Sequence, residues 1–435
     1  MRAALWLLTL FGVAAAIALF AGNNQGTVTL FWPPYRVDLS LNLVLLLLLA
    51  AFFVLYTALR ALAALFDLPR QAHRWRVQQK ERAMHTALLD ALSHLLAGRF
   101  IRARKSAEAA LNQERSLSEG GEKLGHAAQL RALSHLVAAE GAQALQDRAG
   151  RDDHLQQALA HASQRHTSSG QETREGAQLR AARWALDDRD PQAALARLEE
   201  LPQGTQRRTL ALRLKLKAAR QARETLSALE TARLLSKHRA FSAGAAQSIV
   251  RGLAGELIGG AHDTAQLRRA WGALDPSERA MPELAIQAAQ RLLALGGESA
   301  EARAWLLPVW ERMVEPGDPA QALGDHLRVR LVRALEAGLE AGERETDQSM
   351  DREWLARIEA AQLRNPRDAN LQYLAGMACM KRHLWGKAQQ LLTHAALGLQ
   401  DSGLHRRAWS ALAELAEQRE DPTTATEAWK KAAQA

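Results

Sequence analysis

The pattern of apolar positions divides the chain into two unlike parts. From Ala3 to Ala21, and again from Leu39 to Leu59, almost every side chain is apolar and none is charged; Thr9 interrupts the first run, and Ser40 and Asn42 stand near the start of the second. From residue 83 onward the apolar residues instead recur three and four apart, in stretches of about 12 to 16 residues parted by turn formers, the signature of amphipathic helices. A helix needs about 20 apolar residues to cross a hydrocarbon core of about 30 Å, and both runs are close to that length. The pattern therefore predicts a membrane hairpin over 1–59, with helices at about 3–21 and 39–59 and an outer loop at 22–38. A basic juxtamembrane segment, 60–82, and a helical body, 83–435, follow.

The loop carries its own signal. Thr27 to Trp32 and Tyr35 to Leu39 alternate and are rich in β-formers, and Pro33-Pro34 between them marks a turn. This predicts a two-stranded hairpin at the membrane surface, with Trp32 and Tyr35 at headgroup level. Behind the second run, Pro69 predicts a break in the helix. Around it stand Arg60, Arg70, Arg74, Arg76, Lys80 and Arg82 against Asp67 and Glu81, whereas the loop holds one Arg36 and one Asp38. Positive charge beside a membrane segment stays on the cytoplasmic side. The order is then N-terminus in, loop out, body in: a multi-pass protein of the inner (plasma) membrane with a cytoplasmic C-terminal domain. A rival reading makes the first run a cleaved signal peptide behind Arg2; the second run then acts as a stop-transfer segment, and the body is still cytoplasmic.

Composition sharpens this picture. The net charge of +9 tempts towards nucleic acid, but the first 82 residues account for +5 of it. The basic excess thus lies where anionic lipid attracts it, and no nucleic-acid partner is expected. Aromatics make up only 5% of the chain, and Ala, Leu, Arg, Gln and Glu dominate, a helical composition. The single cysteine, Cys379, excludes a disulfide framework and any paired-cysteine metal or haem-attachment motif, and reads as a small buried side chain.

Within the body the clearest repeats lie near the end. After the stop and cap at Asn365-Pro366, Leu371, Ala375, Gly376 and Cys379 share one helix face, and Ala388, Leu392 and Ala395 share the face of the next helix. Gly376 and Ala388 stand where two antiparallel helices cross most closely. The scheme returns with Trp409, Leu412, Ala413 and Ala416, then Ala425, Trp429 and Ala432, with Pro422 in the turn. Ala388 and Ala425 are 37 positions apart. The W-x2-L-[GA] and A-x3-aromatic-x2-A spacings are those of tetratricopeptide (TPR) repeats. Trp409 and Trp429 are expected to pack against neighbouring helices across Ala413 and Ala425. Weaker pairs are read around Gly98, around Asp190-Pro191 and around Gly296-Gly297; the Gly-rich stretches 252–260 and 338–342 are read as loops, and Ser168-Ser169-Gly170 as an exposed turn. The fold class is all-α: two N-terminal transmembrane helices followed by a TPR-like helical-repeat solenoid.

No catalytic constellation emerges. There is no glycine-rich dinucleotide or phosphate loop, no H-E-x-x-H and no G-x-S-x-G. The fourteen histidines are scattered; His94, His135, His154, His161 and His166 invite a metal or haem reading, but lone histidines among Arg and Gln read as solvated or hydrogen-bonded side chains. A repeat body without a reactive signature is most simply a surface for other proteins. No enzyme activity, cofactor or metal is expected.

The N-terminal architecture resembles the HemY family of proteobacterial inner-membrane proteins. The likeness is carried by Gly26-Thr27-Val28, by Tyr35-Arg36-Val37-Asp38-Leu39-Ser40 and by the ALLDALSHLLAGRF stretch that holds Gly98. The resemblance implies an association with the late steps of protohaem synthesis, with no catalytic residues to carry over. The partners it implies are haem-biosynthesis enzymes and the lipid bilayer. Two other functions stay open: a haem or porphyrin carrier or enzyme with a histidine ligand, and an envelope-assembly adaptor unrelated to haem.

Overall fold

The computed structural model describes residues 11–14, 17, 22, 26–121, 125–163, 168–315, 323–340 and 345–434. Most of the first apolar run lies outside the described residues, as does His166. The predicted surface hairpin is present: β1 (Thr27–Trp32) pairs antiparallel with β2 (Tyr35–Ser40), in a register from Thr27 opposite Ser40 to Trp32 opposite Tyr35. Leu39 and Ser40 therefore complete the ladder instead of opening the second apolar helix. Ser40 also caps that helix, its side chain accepting from the Leu43 amide.

The helix that follows, α1 (Leu41–Leu96), is 56 residues long and continuous. The break expected at Pro69 does not occur, and neither does a boundary at residue 82. A proline inside a helix costs about 3 kcal/mol through a lost donor and a carbonyl clash. The last turns of α1 offset this by packing into the body: Met84, Leu88, Ala91 and Leu95 form one stripe, with Met84 and Ala91 fully buried.

The remaining helices are α2 (Phe100–Glu119), α3 (Ala127–Ala144), α4 (Arg148–Ser163), α5 (Ser168–Asp187), α6 (Pro191–Glu199), α7 (Gln203–Gln206), α8 (Thr209–Gln221) and α9 (Thr225–Lys237). After these come α10 (Ala243–Gly259), α11 (Thr264–Gly272), α12 (Pro276–Arg279), α13 (Pro282–Ala294), α14 (Ser299–Val314) and α15 (Asp325–Glu340). The chain closes with α16 (Glu345–Arg364), α17 (Ala369–Lys381), α18 (Trp385–Gly398), α19 (Ser402–Gln418) and α20 (Pro422–Gln434). The described body is thus helical throughout, and it divides into two compact units, residues 1–177 and 178–435.

Three readings of glycine and serine stretches change. Residues 252–259 belong to α10, Gly338 belongs to α15, and Ser168 to Gly170 form the first turn of α5 with Gly170 buried. Gly255 and Gly338 serve helix crossings: the Gln287 amide nitrogen donates to the Gly255 carbonyl at 2.9 Å, and Arg303 reaches the Gly338 carbonyl at 2.5 Å. A missing Cβ at each place lets a neighbouring side chain meet the backbone.

One turn recurs along the body. The helix ends with a residue of positive φ, and the amide after it donates to the carbonyl five positions back, which closes the last turn. It is seen at Gly98, Gln146, Arg189, Arg223, Arg239, Gly296, His383 and Glu420. The matching bonds run from Arg99 to His94, Asp147 to Ala142, Asp190 to Ala185, Glu224 to Ala219, Ala240 to Leu235, Gly297 to Leu292, Leu384 to Cys379 and Asp421 to Ala416. Each such turn sends the chain back to begin the next helix.

In the first unit, Ala107 of α2 and Val137 and Ala138 of α3 close over the α1 stripe, and Leu117 and Leu130 close over Met84. The second unit has a long core running from Leu212 to Ala428, with two aromatic contacts inside it. Trp271 stacks on Trp305 with centroids 4.9 Å apart, and Trp310 meets Trp354 edge-on at 5.9 Å. Its buried carboxylates are paired: Glu278 takes two bonds from Arg233, and Glu336 takes two from Arg407, 71 positions away.

Candidate functional site

Three features of the structure can carry function: the apolar half of α1, the alanine-lined seams near the C-terminus, and a histidine-lined cavity in the first unit. Leu41 to Ala64 is a 24-residue apolar stretch with none of it buried in protein, long enough at about 36 Å to cross a bilayer core. It is the one such helix among the described residues. Large side chains cover it on all sides, Leu46, Leu49, Phe52 and Val54 among them. The expected basic positions lie on the same helix, Arg60 within the last turns of this stretch and the others behind it. Arg60, Arg74, Arg76, Lys80 and Arg82 are exposed, and Trp75 among them is exposed too. The Arg60 guanidinium donates to the Tyr56 hydroxyl at 3.0 Å, keeping its charge at the end of the apolar stretch. Arg70 lies within the helix, but its side chain is outside the described residues.

The seams of α17 to α20 contain most of the repeat residues read from the sequence. Gly376, Ala388, Leu392 and Ala395 are all buried, and a Cβ built on Gly376 would stand 2.7 Å from Leu392 Cγ. That distance requires a glycine. Leu412, Ala413, Ala425 and Ala432 are buried as well. Of the two tryptophans, Trp409 packs against the core from a half-buried position, and Trp429 differs from expectation. Trp409 is half-buried, its indole N–H donating to His405 Nε2 at 3.0 Å, with the Lys431 ammonium 4.4 Å from its ring centre. Trp429 is 41% exposed and donates to Glu417 at 2.7 Å. Alanine faces draw the helices so close that an indole has no room between them, and its N–H needs a polar partner. Ala428 takes the buried place beside Trp429. Cys379 is buried as expected, and burial pushes its thiol pKa up.

The cavity of about 510 Å3 was not legible in the sequence. It lies among α2, α3 and α4, lined by Glu108, Glu114, Arg131, His135, His154 and His161 with others. His135 and His154 meet through their Nδ1 atoms at 3.0 Å, and His161 stacks on His135 with centroids 5.7 Å apart. Burial first, and then the neighbouring His154 and His161, hold His135 down to about 4. His154 is lowered by burial and by Arg104. Both rings are therefore neutral at neutral pH, and since one Nδ1 donates to the other, the donor ring keeps the lone pair on its Nε2. Arg131 neutralises the buried Glu114 through contacts of 2.7 Å to both carboxylate oxygens, and Arg104 bridges Glu108 at 2.9 Å and Asp147 at 2.8 Å. The signal that would have found this group is the spacing of His154 and His161 on one helix, seven apart and so two turns along one face, opposite His135 on the preceding helix. A second group, Glu81, His85 and His126, brings three ligand atoms within 4.8 Å of one another at the base of α1.

Comparisons with known proteins bear on the N-terminal part. No curated protein matches the chain. Among solved structures, Naa15/Naa10 bound to HypK-THB aligns over 78% of this chain at 13% identity and a TM-score of 0.23. The chain spans 57% of the length of that protein. The P58(IPK) TPR domain aligns over 81% of this chain and 97% of its own, at 14% identity and a TM-score of 0.20. A match to a family is found at the other end, over residues 26–127, which take in the β-hairpin, α1, α2 and the start of α3. That family is described as HemY protein N-terminus, and over these residues the chain is similar to it.

Proposed function

We propose that the protein is a non-catalytic scaffold held at the inner membrane by α1, whose helical-hairpin body binds partner proteins in the cytoplasm. The observation that carries this is the continuity of α1. One helix is bare and apolar from Leu41 to Ala64, basic from Arg74 to Arg82, and part of the body core from Met84 to Leu95. Such a helix transmits the position of the membrane to the first unit without a flexible linker. The basic stretch on the body side supports a cytoplasmic position for that side, and the apolar run at 3–21 is read as a second crossing. The hairpins with their TPR-like spacing offer extended faces suited to partner segments. The match of residues 26–127 to the HemY N-terminus supports haem-biosynthesis enzymes as those partners, since their porphyrin substrates are hydrophobic and concentrate at the bilayer. Tethering raises the effective concentration of a membrane-facing partner without any new contact.

The test is crosslinking in native membranes followed by capture of the full-length chain. Enzymes of late porphyrin and haem synthesis are expected among the crosslinked proteins. Capture of envelope-assembly proteins alone would overturn the haem part of this reading.

The histidine-lined cavity favours a second reading, a porphyrin or haem carrier. Its volume is within the range of small-molecule sites, and its neutral imidazoles are suitable axial ligands. A Soret absorption band in the purified full-length protein, lost in His135→Ala, would favour the carrier over the scaffold.

A further inference from the structure

We propose that Glu81, His85 and His126 form a binding site for one divalent first-row transition ion, with Zn2+ as the natural probe. The site is apart from the histidine-lined cavity. Glu81 and His85 are one turn apart on α1, and His126 is the residue that precedes α3. The two imidazoles meet through their Nε2 atoms at 3.1 Å, with ring centroids 5.2 Å apart. All three ligand atoms, the Glu81 carboxylate oxygen included, are within 4.8 Å of one another.

The protonation of His85 follows from its other nitrogen. Nδ1 is 2.8 Å from the backbone carbonyl oxygen of Glu81, which can only accept, so Nδ1 carries the proton. Nε2 of a neutral His85 then carries the lone pair and accepts from His126 Nε2–H, and a metal ion would take the place of that proton. An imidazole held by its far N–H on a backbone carbonyl, with the near nitrogen facing a second imidazole, is the usual setting of a metal-bound histidine. The spacing agrees. Two nitrogens bound at about 2.0 to 2.1 Å to a tetrahedral zinc stand about 3.3 Å apart, and the observed 3.1 Å needs little adjustment.

The donor set limits the occupant. Two imidazole nitrogens and one carboxylate suit zinc and its first-row neighbours; calcium and magnesium prefer all-oxygen sites, and copper(I) prefers sulfur. Glu81 and His85 are half-buried and His126 is exposed, so three protein ligands leave one position facing water. A bound ion would link the helix that leaves the membrane to the start of α3, the corner at which the connection from α2 ends.

The experiment uses full-length protein purified without a histidine tag, stripped with a chelator and titrated with Zn2+ by calorimetry. One ion per chain is expected. His85→Asn and His126→Asn should each weaken binding by at least about tenfold, the scale on which altered zinc shells act, and Glu81→Gln should weaken it less. His154→Asn, in the cavity, should leave it unchanged. Variant folding is checked by circular dichroism. A second measurement needs no variant: Zn2+ should slow amide hydrogen exchange around His126 in the unaltered chain, and Co2+ should give visible d–d bands of tetrahedral intensity. Absence of Zn2+ binding would mean that the two histidines are merely hydrogen-bonded to each other, and would overturn the proposal. Binding that survives both His85→Asn and His126→Asn, or that is lost in His154→Asn, would overturn it equally.

Discussion

Gly376 offers the sharpest test of how the C-terminal hairpins are built. A methyl group at this position would stand 2.7 Å from Leu392 Cγ, 2.9 Å from Leu392 Cδ2 and 3.3 Å from the Leu392 backbone nitrogen. The first contact is with a branching carbon of a fully buried side chain, which cannot swing aside freely. Two effects of Gly376→Ala compete. Helix propensity favours alanine by about 1 kcal/mol, whereas forcing a methyl into a packed seam costs about 1 to 3 kcal/mol. The seam should win, with a net loss of about 1 kcal/mol. Gly252→Ala is the control: this glycine is exposed inside α10 with nothing within 4 Å of a built Cβ, so the propensity gain should stand alone. Leu392→Ala should cost about 2 to 5 kcal/mol by itself. In that background Gly376→Ala should turn favourable, giving a coupling of about 2 kcal/mol between two touching residues. The assay is native-state hydrogen exchange of α17 and α18 amides in the full-length chain, which reports local opening where one global midpoint is ill-defined. A Gly376→Ala variant stabilised as much as Gly252→Ala would show that the two helix axes are not in close contact there.

Three further outcomes are expected. Arg189→Gly, at an exposed turn with φ of 62°, should stabilise the α5–α6 turn by about 1 kcal/mol, the cost of a left-handed residue with a Cβ; hydrogen exchange of the Asp190 amide reads it directly. Arg407→Ala leaves Glu336 buried without its bidentate partner and should cost about 3 kcal/mol, with faster exchange in both α15 and α19, while Glu336→Gln with Arg407→Ala together should cost less. The cavity histidines give a pH dependence: the folded pKa of His135 lies at about 4, below its ordinary 6.5, so the unfolded chain binds more protons between those values. Stability of α2 to α4 should therefore be complete above about pH 6.5 and fall towards pH 4, by about 1 to 2 kcal/mol after allowance for solvent screening of the half-exposed ring. His135→Gln should flatten that slope in thermal unfolding followed at several pH values.

The elements that the sequence disclosed are those with a strong local signal. The hairpin around Pro33-Pro34 was legible because β-formers flank a turn dipeptide, and Gly98 and Gly296 marked their turns because glycine accepts positive φ without strain. The same turn at Gln146, Arg223, Arg239 and His383 was invisible, and at Arg189 and Glu420 only the prolines that follow, Pro191 and Pro422, marked it. There a residue with a Cβ takes the left-handed conformation, and only the bond to the carbonyl five positions back reveals the motif. Pro69 misled for the opposite reason, since a local breaker was outweighed by packing of Met84 and Ala91 more than a dozen residues later. Trp429 was placed too deep because spacing alone does not say which of two adjacent positions, Ala428 or Trp429, faces the seam. Of the functional features, the apolar half of α1 and its basic end were plain from composition. The two histidine groups were not, because each joins residues from separate helices: His135 to His154 and His161, and Glu81 and His85 to His126.

Membrane placement through α1 is the claim on which the proposed function stands, and one complementation experiment addresses it. Three chains are compared in a strain lacking the gene, at matched protein level: the full-length chain, the chain with residues 1–64 replaced by an unrelated two-crossing membrane anchor of the same orientation, and the chain with residues 1–64 removed. Porphyrin and haem contents are measured in each. Normal contents are expected with the first two and an accumulation of porphyrin with the third, although every helix after α1 remains in it. Equal restoration by the chain without an anchor would contradict a scaffold that acts by position, and would turn attention to the cavity of His135, His154 and His161.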